Sequence, residues 1–371
     1  MSGRILVGTR KGLFHIEKAG SRWEIVGVSF LGDNVSMVLP DPRDGATYAA
    51  LDHGHFGTKL HRSMDDGSTW EEIGVPVYPE PGPGEADVPA FPGAKPIPWK
   101  LEKIWALEPG DASQPERLWC GTIPGGLFRS DDCGGTWVLV ETLWRHPKRK
   151  EWFGGGADLP GIHSICIDPR DPRQLAVGVS CGGVWATADA GESWECRASG
   201  MRAAYMPPEQ SHEPNIQDPH RVVRCRRAPD CYWAQHHNGI FRSTDGALSW
   251  REIEGVPLSS FGFAVAVHPD DPETAWFVPG VKDEKRIPVD GKIAVTRTRD
   301  GGKTFNVLTA GLPQHHAYDI VYRHSMDIDG QGQRLAFGST TGSLWISENQ
   351  GDTWLSLSEH LPPVYCVRFT N

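Results

Sequence analysis

The feature that most constrains the fold is an eight-residue repeat of the form Ser/Thr-x-Asp-x-Gly-x-Ser/Thr-Trp. Six copies follow one another along the chain, three close to this pattern and three weaker. They begin at Ser63, Ser130, Thr187, Ser243, Thr298 and Ser347. Successive starts are 67, 57, 56, 55 and 49 residues apart, so each copy belongs to one repeating structural unit.

The residue types in each copy predict a tight hairpin turn. The aspartate can accept bonds from backbone N–H groups of the turn, the glycine can adopt a positive φ, and the hydroxyls bond locally. The final tryptophan is then free to pack into the next layer. The weaker copies carry Ala247 in place of the glycine, Asn349 in place of the aspartate and Phe305 in place of the tryptophan. These are structural roles and do not indicate a reaction.

The chain between the repeats predicts four short strands per unit. In the unit 161–197, strand-like runs cover 162–167, 175–179, 184–187 and 194–197. Similar units start near Val35, Lys103, His220, Phe263 and Tyr318. The N-terminus supplies three strands without an inner partner, and Val364–Phe369 supplies an inner strand without outer ones. We therefore predict an all-β chain of seven blades, with the C-terminal strand completing the first blade and removing both exposed edges.

The repeat closely resembles the Asp-box, or BNR repeat, of sialidases, sortilin-type receptors, some xyloglucanases and a photosystem II assembly propeller. The resemblance covers nearly the whole chain and implies one β-propeller domain, residues 1–371. By analogy with other propellers, ligands are expected around the axis on the connecting face, which is the face opposite the boxes.

Three long connections are expected on the connecting face, at about 74–99, 141–161 and 199–219. Loops of this length in a compact fold are usually functional covers or disordered segments. Apolar anchors favour ordered lids over an enclosed small-molecule site: Tyr78, Phe91, Trp99, Tyr205 and Met206.

Composition limits the partners and the compartment. Lys and Arg number 37 against 47 acidic residues, a net charge of −10, which argues against nucleic-acid binding. No apolar stretch has the length of a membrane span or a signal peptide, so we expect a cytoplasmic protein without membrane contact. The eight cysteines form no C-x-x-C motif, and we expect free thiols.

The histidines supply a candidate site, because many fall in turns or strand starts on the connecting face. We expect seven of them to converge on an axial pocket and to bind a transition metal of unspecified identity, since neutral imidazole is the commonest ligand of such ions. These candidate metal ligands are His53, His55, His163, His236, His237, His315 and His316. No compact metal motif such as H-E-x-x-H supports the assignment.

Four residues are candidates for catalysis or substrate binding at the same mouth. Glu102 precedes an inner strand, His163 begins one and Asp319 lies in another, while Arg10 sits in a turn on the connecting face and could bind an anion. Sialidase activity is not expected, because the F/Y-R-I-P arginine motif of that family is missing upstream of the boxes. The run Lys285–Pro288 contains Arg-Ile-Pro but lacks the leading aromatic and follows four boxes.

Three functions therefore remain open. The first is an enzyme whose histidine-rich axial pocket binds a metal or a small polar substrate. The second is a glycoside hydrolase with two facing carboxylates, for which Glu102, Asp158, Glu213 and Asp319 are available but no spacing selects a pair. The third is a non-catalytic scaffold that binds a protein partner. A Cys-His nucleophile using Cys181 is a further alternative.

Overall fold

The computed structural model describes residues 3–85, 96–155 and 157–370. The described residues form 28 strands, one α-helix, Glu141–Trp144 (α1), and four short 3₁₀ helices, Gly54–Phe56, Pro147–Glu151, Pro214–Ile216 and Val289–Gly291. The first fifteen strands in chain order are β1 Arg4–Thr9, β2 Gly12–Ala19, β3 Arg22–Ser29, β4 Val35–Pro40, β5 Thr47–Asp52, β6 Thr58–Ser63, β7 Glu71–Ile73, β8 Lys103–Pro109, β9 Leu118–Ile123, β10 Leu127–Ser130, β11 Val138–Leu139, β12 Ile162–Ile167, β13 Leu175–Val179, β14 Gly183–Thr187 and β15 Glu195–Cys196. The remaining strands are β16 Pro219–Arg224, β17 Tyr232–His236, β18 Gly239–Ser243, β19 Arg251–Glu252, β20 Gly262–Val267, β21 Ala275–Pro279, β22 Val295–Thr298, β23 Asn306–Leu308, β24 Met326–Ile328, β25 Leu335–Gly338, β26 Leu344–Ser347, β27 Leu355–Ser358 and β28 Val364–Thr370.

These strands form seven antiparallel four-stranded sheets, so the predicted seven-bladed propeller is confirmed. Six blades use four consecutive strands, and the first has the order β28-β1-β2-β3. In that blade Ile5 pairs with Phe369 and Val7 with Val367, so the C-terminal strand closes the ring as predicted. Closure gives both ends of the chain a hydrogen-bonded neighbour and leaves no inner strand unpaired.

The repeats form the expected turns. In the first copy Asp65 Oδ1 accepts bonds from Thr69 N at 2.8 Å and Ser63 Oγ at 2.8 Å, and Oδ2 accepts the Thr69 hydroxyl at 2.6 Å. Gly67 has a φ of +83° and donates its N–H to Ser63 Oγ at 2.8 Å. The sixth copy keeps the geometry with an amide, since Asn349 Oδ1 accepts from Thr353 N at 2.9 Å. Each turn therefore holds itself together through its own side chains.

The repeat turns also tie strands and blades together. Ala190 N in the third repeat donates to Arg173 O in the turn between β12 and β13, which places these two kinds of turn on one face, as expected. Trp137 and Trp250 donate their indole N–H groups to Gly74 O and Arg197 O, both at the end of the preceding blade. Large side chains then fill the spaces between the sheets, and five of them are fully buried tryptophans of second and third strands, Trp119, Trp185, Trp233, Trp276 and Trp345.

The seventh blade departs from the prediction. Its inner strand β24 begins at Met326, eight residues after Tyr318. The preceding segment is bonded instead to the turn after β25, where the Asp319 carboxylate accepts the Ser339 hydroxyl at 2.6 Å and also that of Thr341. This segment carries Arg323 and His324 to the axis of the ring.

Of the three long connections, 199–219 is described throughout, 141–161 is described except at residue 156, and 74–99 is described at its two ends. Tyr78 is buried and donates its hydroxyl to Pro124 O at 2.7 Å, and Trp99 packs edge-on against Trp144. The predicted anchor Phe91 lies in 86–95, outside the described residues. All eight cysteines are free, and no helix in the described part of the chain is long and apolar enough to cross a membrane.

We expect the repeat aspartates to tolerate an amide but not truncation. Asp189→Asn should keep a melting temperature close to that of the unaltered protein, because Asn349 already forms the same turn. Asp189→Ala removes the acceptor of Thr187 Oγ1, Ser193 N and Ser193 Oγ and should lower the melting temperature. Thermal melts followed by circular dichroism measure both, and equal melting temperatures for the two variants would contradict this role of the side chain.

Acid should weaken the same turns within a defined pH range. Bonds from Thr69, Ser193 and Thr304 hold the pKa values of Asp65, Asp189 and Asp300 at about 2, below the ordinary 3.8. Because the folded-state pKa is depressed, this stabilisation is complete above about pH 4 and is lost as the pH falls toward 2. The melting temperature should drop over that interval. The triple Asp→Asn variant at these positions should lose less, and an equally steep loss would contradict the assignment.

Candidate functional site

The axis of the ring contains a cavity of about 240 Å³. Its wall includes the first residues of several inner strands, among them Ser36 on β4, Lys103 on β8 and Tyr365 on β28. Arg323 and His324 of the seventh blade complete the wall. Since inner strands begin at the face opposite the repeat turns, this axial cavity lies at the connecting face, where a ligand site was predicted.

A second cavity, of about 150 Å³, contains the chemically most distinctive group of side chains. Asp218, His220 and His237 each direct one potential ligand atom to a common point, and these atoms lie within 4.8 Å of one another. Asp218 and His220 are buried, whereas His237 keeps 23% of its side chain exposed. The cluster therefore has one accessible side, through His237.

The strand register of the fifth blade assembles this cluster. Pro219 at the start of β16 pairs with His236 at the end of β17. Asp218 consequently lies beside His237, whose N–H donates to Asp218 O at 3.0 Å. Asp218 and His220 are two residues apart at the start of an extended segment, so their side chains point to the same side. A one-residue slip of β16 against β17 would separate the three groups.

Hydrogen bonds fix the proton on His220. Its Nδ1 lies 2.7 Å from Gly262 O, a bond in which only the nitrogen can donate. In the neutral ring Nε2 then carries a lone pair, and this atom lies 3.4 Å from Asp218 Oδ2. His237 Nδ1 lies 3.5 Å from the same carboxylate oxygen. Two imidazoles thus face one oxygen atom.

The carboxylate at the centre is held in its ionised form. Burial acts to raise the pKa of Asp218, but the charge and bonding of His220 and His237, with the charge of Arg323, outweigh it and hold the pKa well below its ordinary value. Cys181 N donates to Asp218 Oδ1 at 3.1 Å and supports the anion. Burial lowers the pKa of His220, whereas the Asp218 carboxylate overcomes burial and raises that of His237.

Two of the predicted wall segments reach this second cavity. From the connection 199–219, Tyr205 packs edge-on against the His237 ring and donates its hydroxyl to Ile216 O at 2.9 Å. From the connection 141–161, Gly155 passes so close that a Cβ there would lie 2.6 Å from Cys181 Sγ. Burial and the Asp218 charge raise the pKa of the Cys181 thiol well above its ordinary value, which argues against its use as a nucleophile.

The expected convergence of seven histidines does not occur, and His237 alone among them belongs to the cluster. His53 lies near Asp33, and His55, His315 and His316 are exposed. His163 is buried with its ring edge-on to Trp105. His236 points to the other side of its strand against Phe241, and burial lowers its pKa to about 3. The position of a histidine in a loop or at a strand start did not show in which direction its side chain points.

The other predicted residues are not among those that line either cavity. Glu102 and Arg10 are exposed, and Asp319 is occupied by the hydroxyls of Ser339 and Thr341. In the described part of the chain, no two of the four carboxylates Glu102, Asp158, Glu213 and Asp319 face each other across either cavity. Arg286 does line the axial cavity, although its Arg-Ile-Pro context carried no weight in the sequence.

Sequence reasoning missed Asp218 and His220. A usable signal was present, since an Asp-x-His pair at the start of an inner strand places two potential ligands on one side of it. That strand is followed by a hairpin partner ending in His236, with His237 next in sequence. No sequence pattern pointed to Arg323. It lies in an irregular segment where the sequence predicted a regular strand starting near Tyr318.

No protein-family model matches the chain. An oligoxyloglucan-reducing end-specific xyloglucanase of Emericella nidulans is 37% identical over 263 residues, which make up 64% of this chain and 30% of that enzyme. The curated relatives are xyloglucanases, and this chain spans 16 to 30% of their length. The chain therefore has xyloglucanase-like relatives but matches only a part of each.

Solved structures agree on the fold. An ancestral GH74 enzyme superposes with a TM-score of 0.59 and 16% identity over 86% of this chain and 38% of that one. The periplasmic gluconolactonase PpgL of Pseudomonas aeruginosa gives a TM-score of 0.59 with 11% identity, covering 100% of this chain and 99% of that one. At these identities the similarity establishes the propeller architecture alone.

We expect Asp218 to be a stabilising anion in metal-free protein. Asp218→Ala leaves the buried groups around it without their counter-charge and should lower the free energy of unfolding by about 3–5 kcal/mol. Asp218→Asn should lower it less, because the amide oxygen can still accept from Cys181 N. Urea unfolding in the presence of a chelator measures both. The control is Asp283→Ala, a partly exposed partner of Arg286, which should cost no more than about 1 kcal/mol.

An Asp218→Ala variant as stable as the unaltered protein would show that the carboxyl group is not held as an anion.

Proposed function

We propose that this protein is a carbohydrate-active hydrolase of the Asp-box propeller type, with its reaction centre at the Asp218–His220–His237 cluster. We further propose that the cluster binds a transition-metal ion. The xyloglucanase names of the relatives support a carbohydrate as substrate and hydrolysis as the reaction. The assignment of these three residues as the reaction centre, and of a metal ion to them, depends on the geometry of the cluster.

One observation carries the metal proposal. The bond from His220 Nδ1 to Gly262 O directs the Nε2 lone pair of the neutral ring toward an ionised carboxylate oxygen 3.4 Å away. Two electron pairs facing each other at that distance repel, unless a proton or a cation lies between them. In the metal-free protein a proton on Nε2 takes this position and supports the Asp218 anion, but burial opposes the doubly protonated ring by lowering the pKa of His220. A cation accepting both electron pairs removes the conflict.

The donor set suits such an ion. Two imidazole nitrogens and one carboxylate oxygen are ligands typical of zinc, iron and related metals. Ligands at about 2.0–2.2 Å from an ion lie roughly 3 to 3.6 Å from each other. The two nitrogen–oxygen separations are 3.4 and 3.5 Å, and all three ligand atoms lie within 4.8 Å of one another. Gly262 O orients His220 through its second nitrogen, an arrangement common around metal ligands. A bound ion would supply Lewis acidity to a substrate oxygen.

Other residues of the second cavity determine how a substrate would reach the cluster. Tyr205 covers one side of the His237 ring, and Gly155 brings backbone close to Asp218 without a side chain in the way. His237 is the partly exposed member and lies where a substrate would enter. Both cavities are smaller than the roughly 300–1,000 Å³ typical of drug-sized ligands. This favours one or two sugar residues over a polysaccharide chain.

A second candidate is hydrolysis by two carboxylates without a metal. Asp283 lines the same cavity as Asp218, and both act on His237 electrostatically. In this mechanism the low pKa of Asp218 suits a base or nucleophile, and Asp283 would be the acid. Asp283→Asn distinguishes the two candidates, because it should abolish carboxylate-pair catalysis while leaving metal content unchanged.

We expect the purified protein to retain close to one equivalent of a transition metal, and His220→Ala and Asp218→Asn to reduce this below about 0.1 equivalent. Elemental analysis after dialysis against Mn²⁺, Fe²⁺, Co²⁺ or Zn²⁺ measures the content. Hydrolysis of 4-nitrophenyl glycosides and of xyloglucan oligosaccharides should be lost in the same variants. His315→Ala is the matched control, since this exposed histidine lies outside the cluster.

Metal below about 0.1 equivalent in the reconstituted protein would exclude the metal centre. Hydrolysis that persists without metal but disappears in Asp283→Asn would support the carboxylate pair. Neither metal nor hydrolysis would leave the scaffold function, with a protein partner, as the remaining explanation.

A further inference from the structure

The wall of the axial cavity is unusual for a protein of net charge −10, because it carries positive charge. Lys103, Arg286 and Arg323 line the cavity, and its described lining residues include no aspartate or glutamate. Lys103 is paired with Asp52 at 3.1 Å and Arg286 with Asp283 at 2.6 Å. Two of the three cations thus have a partner outside the cavity wall, and the third does not.

Arg323 is the exception. Its side chain is almost entirely buried, with 8% of the residue exposed, yet Nε and Nη2 have no hydrogen-bond partner among the described residues. The guanidinium lies over aromatic rings, 4.8 Å from the centre of Trp105 and 5.3 Å from that of Phe263. Ring contacts position a cation but do not satisfy its N–H donors.

A buried cation with unsatisfied donors is costly for the folded protein. Groups of this kind are normally paired or hydrogen-bonded, and one that is not requires an explanation such as a ligand. The planar fork of a guanidinium matches a carboxylate in two parallel bonds. Arg286, in the same wall, adds a second guanidinium to the cavity.

Aromatic side chains around these cations provide surfaces for a ring. Trp105, Tyr322 and Tyr365 line the cavity, whose volume of about 240 Å³ is suited to a single small polar molecule. The axial cavity also adjoins the metal-ligand cluster. Arg286 and Arg323 both lie over Phe263, and Phe263 stacks on His220 with ring centres 4.4 Å apart. A ligand held by the arginines therefore lies one aromatic ring from His220.

We propose that the axial cavity binds the carboxylate of a sugar acid, with Arg323 as its main anchor and Arg286 as the second. This inference rests on the proposed function, because it specifies the substrate class of that site. The carboxylate occupies the free donors of Arg323, and the sugar ring lies against Trp105.

Binding of D-glucuronate to chelator-treated protein tests the proposal without depending on the metal or on turnover. Isothermal titration calorimetry should show D-glucuronate binding at least about 10-fold more tightly than neutral D-glucose, the ratio expected for a charged hydrogen-bonded pair. Arg323→Met should weaken glucuronate binding by at least about 10-fold. It should lower the melting temperature only modestly, because Nε and Nη2 of Arg323 have no hydrogen-bond partner to lose, although its charge helps to keep Asp218 ionised.

Two further variants keep the test decisive. Arg286→Gln alters a side chain that is 32% exposed, so it should fold and should also weaken glucuronate binding. Arg173→Met removes an exposed arginine on the opposite face and should leave binding unchanged. If Arg323→Met fails to fold, the Arg286→Gln result decides.

Equal affinity for glucuronate and glucose, or unchanged binding in the folded arginine variants, would overturn the proposal. Tight binding of inorganic phosphate without glucuronate would overturn it in favour of a phosphate ligand. Glucuronate binding in a protein that retains no metal would support this inference while contradicting the metal centre. The two proposals can therefore fail separately.

Discussion

The site depends on the closure of the ring by β28. This strand pairs with β1 along its whole length and adds the last inner strand around the axis. It also contacts the seventh blade, since Val367 N donates to His324 O and Cys366 forms a parallel bridge with His324. The same strand supplies Tyr365 to the axial cavity. Closing the first blade and shaping the ligand cavity are thus consequences of one strand.

Sequence reasoning succeeded where the structure is repetitive. The turns are predictable because the Asp, Gly and hydroxyl groups satisfy one another within eight residues, without help from the rest of the chain. The blade boundaries follow from the same local signal, and 162–167 and 175–179 coincide with β12 and β13. Only the seventh blade differs, where Asp319 binds hydroxyls of a neighbouring turn. No local pattern shows that contact.

The candidate site was only partly predictable, because it depends on pairing between segments. The connecting face and His237 could be identified from turn positions. Asp218 joins His237 through the register of β16 and β17, and Arg323 reaches the axis through an irregular segment. His236 illustrates the difficulty, since it neighbours His237 in sequence and yet faces the other side of the sheet. The two histidines are the same residue type, but they differ in burial and in the direction of their side chains.

The short inner strand of the seventh blade affects how the axial wall is held together. The other six inner strands have six or seven residues, whereas β24 has three. Arg323 and His324 lie directly before this strand, and hydrogen bonds to two other blades hold the segment. Val367 N donates to His324 O, and His324 Nε2 donates to His163 O. The axial wall at this point therefore depends on the neighbouring blades and not on a ladder of its own.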